Sequence, residues 1–235
     1  MDMTGKTVLI TGASRGIGRV TAIRLAQAGA DVHVLARSES DLRSLAAEVG
    51  GRAWTMDITD DADVWTTLDS VMDAAGRPPD LIVNSAGVFD VAPVAETSVA
   101  LFDRNIDVNL RGAFLVVRAV LPALLEVGRG LIVNVGSVSG RRAFPGNGAY
   151  SASKFGLRGL HEVMVEELRG TGVRATLLEP AATDTEIWDP LDPDADPGLP
   201  NRSDMLRPAD VAETVLFLAT RPDHVHIPFL PVQAG

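Results

Sequence analysis

Six times along this chain a short apolar or β-branched run gives way to a longer segment of helical period, and that alternation leaves few folds open. The runs read as strands at Thr7–Thr11, Asp31–Ala36, Arg52–Asp57, Leu81–Asn84, Leu131–Gly136, Val173–Glu179 and Ile227–Val232. Between them the spacing predicts helices near Gly16–Ala28, Asp41–Val49, Asp61–Ala74, Leu101–Glu126, Ser151–Arg169 and Ala209–Ala219. Strands that each return through a helix run parallel, and a parallel sheet must be covered on both faces. The expected fold is therefore α/β: a single-domain, Rossmann-like doubly wound fold with a seven-stranded, mostly parallel sheet and helices on both faces. Residues 1–235, 46% of them hydrophobic, suffice for one such domain, and no repeat or second domain is visible.

Composition removes several kinds of function. There is no cysteine, so disulfides, thiol nucleophiles and cysteine metal sites are excluded. The formal net charge of −10 argues against nucleic-acid binding, which needs Lys and Arg against phosphate. Any phosphate site must be local. The N-terminus runs straight into Lys6–Ile10 without a signal-peptide pattern, and no apolar run approaches the roughly 18 residues of a spanning helix. The expectation is a soluble cytoplasmic protein with neither membrane nor nucleic-acid partner.

One segment breaks the rhythm. Between Asp184 and Asp204 the chain carries seven acids, one base and prolines at 190, 193, 197 and 200. That proline density predicts no regular element, and a long structureless stretch inside a domain is a binding loop, a lid or a solvated connector. Its place beyond the sixth strand favours a substrate lid around 184–206.

The first strand ends in Thr11-Gly-Ala-Ser-Arg-Gly-Ile-Gly18, and a helix follows at once. Glycines allow a tight turn and a close backbone approach, while the helix start offers unpaired N–H groups and a positive dipole end. The spacing is Gly-x-x-x-Gly-x-Gly rather than the commoner Gly-x-Gly-x-x-Gly. It resembles the turn of the short-chain dehydrogenase/reductase family, with Gly12, Ser14, Arg15, Gly16, Ile17 and Gly18 as the phosphate-binding residues. The second strand ends at Ala36 and Arg37, with no acid to hold a ribose 2′-hydroxyl. Two guanidinium groups, Arg15 and Arg37, instead suit a 2′-phosphate, so NADP(H) is the expected cofactor. The same resemblance gives Asp57 and Ile58 to the adenine and makes Asn84, Ala86 and Gly87 a wall beside it. Ser85 stands where the family often has a second asparagine.

Tyr150-Ser-Ala-Ser-Lys154 opens a predicted helix, and Ser137 lies thirteen residues earlier at a strand end. Residues i and i+4 share a helix face, so phenol and ammonium lie together. An unperturbed tyrosine, with a pKa of about 10, is a poor base near neutrality, and a neighbouring cation should lower that value. With the glycine turn upstream, these residues are similar to the family's Ser–Tyr–Lys triad, and Asn109 on the long helix falls at its catalytic asparagine. The resemblance implies that Ser137 stabilises the substrate oxygen, Tyr150 gives or takes its proton, and Lys154 lowers the Tyr150 pKa and binds the nicotinamide ribose. Asn109 would hold a water linking Lys154 to solvent. Glu179-Pro-Ala-Ala-Thr-Asp-Thr185 follows the sixth strand, where Pro180, Thr183 and Thr185 are expected to contact the cofactor. Ala181 replaces the family's usual glycine, and would be strained if the backbone there needed φ > 0.

Together these features imply an NADP(H)-dependent oxidoreductase moving a hydride between the nicotinamide and a carbonyl or secondary-alcohol carbon of a small or medium-sized substrate. The rival reading is a non-catalytic NADP(H)-binding regulator on the same fold, from which the intact Ser137, Tyr150, Lys154 and Asn109 distinguish it. Reduction of acyl groups on an acidic carrier is disfavoured by the acidic 184–206 segment, unless Arg141 and Arg142 form a docking patch. Those arginines border the substrate cleft or are simply exposed. His224 and His226 lack further ligands for a metal, and no metal site is expected. By resemblance, the long helix and the helix after Tyr150 pair subunits, giving a homodimer or homotetramer.

Overall fold

The structure is a computed structural model of residues 1–235. Seven strands form one sheet: β1 (Thr7–Thr11), β2 (Asp31–Ala36), β3 (Arg52–Thr55), β4 (Leu81–Asn84), β5 (Gly130–Val135), β6 (Val173–Pro180) and β7 (Phe229–Val232). Their order is β3-β2-β1-β4-β5-β6-β7, and every pairing is parallel. The chain builds outward from β1 to β3, then returns to lay β4 on the other side of β1. That reversal opens a crevice above the carboxyl ends of β1 and β4, where ligands bind in open α/β sheets.

The central strands are largely apolar because alternate side chains enter different cores. Val8, Ile10, Val32, Val34, Leu81 and Val83 pack against α1 (Gly16–Gln27), α2 (Glu39–Val49) and α7 (Pro208–Ala219). Leu9, Leu35, Ile82 and Ile132 face the opposite layer, built by α3 (Asp61–Ala75), α5 (Gly112–Val127) and α6 (Gly148–Glu167). Each fully buried Leu or Ile is worth about 1.5–3 kcal/mol, so the same strands hold both layers through alternate rows of residues.

Three expectations need correction. The third strand stops at Thr55 rather than Asp57, because the Asp57 N–H leaves the ladder and donates to Asp63 Oδ2 of α3 at 2.7 Å. The long helix is not uniform: α4 (Val99–Ile106) passes through a π-turn at Asp107–Arg111 before α5 begins. These pieces form one continuous helix, Val99–Val127, which is long and apolar enough to cross a membrane by length and composition, although half of its apolar window is buried in the protein. Apolar residues fill its sheet-facing side and also part of its outer side, where Phe114 and Leu125 are exposed.

The 184–206 segment is not structureless either. Glu186–Leu191 and Arg202–Asp204 are short 3-10 turns. Its two ends are zipped together, with Asp184 N donating to the Leu206 carbonyl at 2.8 Å and Leu206 N to Ala182 at 2.9 Å. Arg202 gathers the excess of acids, donating to Asp184 Oδ1 at 2.6 Å and Asp189 Oδ1 at 2.7 Å. Prolines rule out a long helix but not a turn that one guanidinium holds together.

Candidate active site

A cleft of about 950 Å³ opens over the carboxyl ends of the strands. Its floor is the turn between β1 and α1. Gly12 has φ 66°, and a Cβ there would stand 2.5 Å from the Ala86 Cα, so the turn presses directly on the loop after β4. A Cβ on Gly18 would meet the Gly12 carbonyl oxygen at 2.4 Å. The glycines are thus required by the fold as well as by any phosphate. Gly12, Ser14, Arg15, Gly16, Ile17 and Gly18 all line the cleft, as do Arg37, Asp57, Ile58, Ala86 and Gly87.

Asn84 does not. Its side chain is buried and turned away, donating to Asn134 Oδ1 at 2.9 Å across β4 and β5. The wall it was expected to share is made by Ser85, Ala86, Gly87 and Val88. Neither Arg15 nor Arg37 has an ion-pair partner among the acids of the fold. Asp41, which the sequence reading did not weigh, also lines this end, and its Oδ2 accepts from Ser38 Oγ at 2.6 Å. Hydrogen bonds from the Thr59 amide and hydroxyl hold the Asp57 carboxyl below its ordinary range.

At the other end Ser137, Tyr150 and Lys154 share the wall. Ser137 is fixed at the end of β5, its Oγ accepting from the Ser139 N–H at 3.1 Å. Tyr150 lies in the first turn of α6 and Lys154 one turn on, with its Nζ 5.6 Å from the phenol ring centroid. The ammonium donates to the Val135 carbonyl at 2.9 Å. Burial pushes the Tyr150 phenol up from 10.0 to about 12, and the facing Ser137 hydroxyl pulls only weakly the other way. Burial also pushes Lys154 down from 10.5 to about 8. The expected lowering of the Tyr150 pKa by Lys154 is therefore not what the protein alone provides. Both groups are driven toward their neutral forms, because desolvation outweighs a cation that points at a carbonyl rather than at the phenol oxygen.

Asn109 belongs to the π-turn and is buried outside the cleft wall. Its Oδ1 accepts from Val88 N at 2.8 Å, while its Nδ2 donates to the Val88 carbonyl and to Ser153 Oγ, each at 3.0 Å. Ser153 Oγ in turn donates to the Tyr150 carbonyl at 2.6 Å. Asn109 thereby ties the loop after β4 to the turn of helix that carries the phenol.

Pro180, Ala181, Thr183 and Thr185 line the same cleft. Asp192 is the one non-glycine with positive φ, so Ala181 carries no left-handed strain. Its N–H donates to the Val232 carbonyl at 2.8 Å, in continuation of the sheet. Arg141 and Arg142 part company. Arg141 lies 3.8 Å from the buried Glu179, which also takes Arg158 at 2.8 Å, whereas Arg142 lines the cleft. His226 Nε2 is 2.7 Å from the Ala175 carbonyl oxygen, a packing contact.

The sequence reading missed the aromatic lining. Phe89 stands edge-on to Tyr150 with ring centroids 4.8 Å apart and edge-on to Trp188 at 4.9 Å; Phe144 completes that end. Phe89 lies two residues beyond Gly87, just past a strand's carboxyl end, and that position was the available signal.

Comparison with known proteins gives the family. Residues 6–196 match the family model described as short chain dehydrogenase. D-threitol dehydrogenase from Mycolicibacterium smegmatis is 36% identical over 227 residues, spanning 93% of this chain and 87% of that protein. A metagenomic short-chain oxidoreductase solved in complex with NADP superposes with a TM-score of 0.84 at 33% identity, over 99% of this chain and 98% of the other. The closed form of a serine dehydrogenase complexed with NADP+ gives 0.89 at 32% identity, over 96% and 94% of the two chains.

Proposed function

The chain belongs to the short-chain dehydrogenase/reductase family and has its Rossmann-like fold, and from that premise we propose an NADP(H)-dependent oxidoreductase that reduces a carbonyl, or oxidises the matching secondary alcohol, on a small or medium-sized substrate. The observation that carries the reading is one continuous cleft with the glycine turn at one end and Ser137, Tyr150 and Lys154 at the other. The residues fit the cofactor. Gly16, Ile17 and Gly18 open α1 at the cleft, a helix start of the kind that binds phosphate, Arg15 and Arg37 line the same cleft without an ion pair, and β2 ends without a carboxylate. Structures of relatives hold NADP in this fold.

Bound NADPH supplies the hydride, which adds to the carbonyl carbon as a proton adds to its oxygen. Tyr150 supplies that proton. Its pKa of about 12 keeps the phenol protonated near neutrality, which poises the free protein for reduction. Ser137 holds the carbonyl oxygen and stabilises the charge developing on it. Lys154 would bind the nicotinamide ribose and, with a pKa of about 8, keeps its proton near neutrality, where its charge favours the phenolate that remains. Asn109 positions α6 through Ser153. By resemblance, Asn109, in the π-turn, also holds the water that links Lys154 to solvent. Pro180, Thr183 and Thr185 bound the nicotinamide end, and the 184–206 segment serves as the lid, Trp188 and Leu199 facing inward from it. Exposed Phe102 and Phe114 on the long helix and Phe155 and Val163 on α6 support a homo-oligomer.

The test is NADPH oxidation over a panel of ketones, aldehydes, oxo acids and quinones, with Tyr150→Phe beside the wild type. Turnover should fall by at least about a thousandfold in the variant, while NADPH binding by fluorescence titration stays within about twofold. A variant that keeps turning over sinks the acid role of Tyr150.

A further inference from the structure

The end of the cleft beyond Tyr150 has a charge pattern of its own. Three arginines lie near it, and two of them have a carboxylate beside them. Arg104 donates to Asp90 Oδ1 at 3.0 Å, and Arg141 lies beside the buried Glu179. Arg142 is different. It lines the cleft, its guanidinium carbon lies over the Phe144 ring 5.2 Å from the centroid, and it makes no ion pair or side-chain hydrogen bond. A guanidinium lying over a ring can still donate two parallel hydrogen bonds to a planar anion.

No acid offsets it there. The carboxylates lining the cleft are Asp41, Asp57 and Glu186. The first two belong to the nucleotide end, and Glu186 lies against the glycine turn, its Oε2 3.7 Å from where a Gly16 Cβ would stand. On the other flank of Tyr150 the wall is apolar: Phe89 and Trp188 meet edge to face. The loops bearing Phe89 and Arg142 are fastened to each other, since Ala92 N donates to the Gly146 carbonyl at 2.8 Å and Ala92 bridges to Asn147. The two flanks are thus held at a set separation around the phenol.

Resting on the carbonyl-reductase reading above, we infer that the substrate is a small anionic carbonyl compound with an aromatic or bulky apolar substituent, its anion held by Arg142 and its apolar group by Phe89 and Trp188. An aryl oxo acid has this chemistry. The other cations lining this half have partners, Arg104 in Asp90 and Lys154 in the Val135 carbonyl, which leaves Arg142 to set the preference of acid over ester.

The probes are benzoylformate and its methyl ester, which share the aryl ketone and differ in charge. Steady-state NADPH oxidation is measured for wild type, Arg142→Gln and Arg142→Lys at low and high salt. The wild type should favour the acid in kcat/KM by about tenfold or more, as a charge-assisted hydrogen bond implies. Arg142→Gln should bring the acid down to the level of the ester and leave the ester unchanged, and Arg142→Lys should keep part of the preference. Because Arg142 is exposed, the preference should also shrink as salt rises. An acid-to-ester ratio that Arg142→Gln leaves intact, or a wild type that favours the ester, overturns the inference. Ester turnover that vanishes in Tyr150→Phe upholds the carbonyl-reductase reading whatever Arg142 does. A wild type that reduces neither probe, yet reduces other members of the carbonyl panel, refutes this substrate class alone.

Discussion

Replacing Lys154 with methionine removes a buried charge while keeping an unbranched side chain of similar length, so it separates what the residue does for chemistry from what it does to the fold. Lys154 is 5% exposed, and burial takes its pKa from 10.5 to about 8. At about 1.4 kcal/mol per pKa unit, holding the ammonium there costs the folded state roughly 3 kcal/mol near neutral pH. The variant also loses the bond to the Val135 carbonyl, and leaving that buried acceptor unpaired returns about 1–2 kcal/mol of the gain. Lys154→Met should therefore stabilise the cofactor-free protein by about 1–2 kcal/mol at about pH 7 while abolishing turnover. The sign of the pH dependence follows from linkage. Between about 8 and 10.5 the unfolded chain keeps the Lys154 proton and the folded protein has released it, so wild-type stability rises with pH across that window. Below about 8 both states are protonated and the cost is present in full. Urea denaturation of both proteins at several pH values from about 7 to about 10 should show the variant's advantage shrinking by about 2 kcal/mol, and reversing if the lost hydrogen bond dominates at the top of the range. Tyr150 is common to both proteins and cancels from the difference. A gap that stays constant with pH refutes the reasoning, because Lys154 would then have an ordinary pKa in the folded state.

Three further outcomes follow from the same geometry. Arg37→Glu should raise the KM for NADPH by about tenfold or more and leave that for NADH nearly unchanged; an equal effect on both cofactors contradicts the 2′-phosphate reading. Gly18→Ala places a methyl 2.4 Å from the Gly12 carbonyl oxygen, so the urea midpoint should fall by the equivalent of about 2–3 kcal/mol, and an unchanged midpoint would mean that the turn is slack. Arg202→Ala frees Asp184 and Asp189; it should speed proteolysis within 184–206 and raise the substrate KM with little change in NADPH affinity, whereas unaltered proteolysis would show that the segment holds itself by other means.

The fold was legible because its determinants are local and repeated. Strands such as Val8–Ile10 and Ile82–Val83 announce burial on both faces by lacking any polar alternation, and the intervening helical period forces parallel pairing. The glycine turn was legible for the same reason, since a phosphate-binding backbone must be bare wherever it occurs. The spacing of Tyr150 and Lys154 also survived intact, because four residues on a helix fix one face. Asn84 was misread because adjacent strand positions face opposite ways, and nothing in its own neighbourhood says that Asn134 waits across the sheet.

What the sequence determined by itself, then, was everything set by periodicity and by short spacing: the layers, the parallel sheet, the glycine turn, and Tyr150 and Lys154 on one helix face, with Ser137 joined to them by resemblance. Tertiary structure alone decided the rest. It chose which arginine is spent on Glu179 and which is left facing the cleft, brought Phe89 and Trp188 from distant segments to either side of one contact, and turned the expected activation of Tyr150 into a phenol held protonated by burial. Charge pairing, aromatic packing and desolvation depend on neighbours that are far apart in the chain, and a linear pattern carries no record of them.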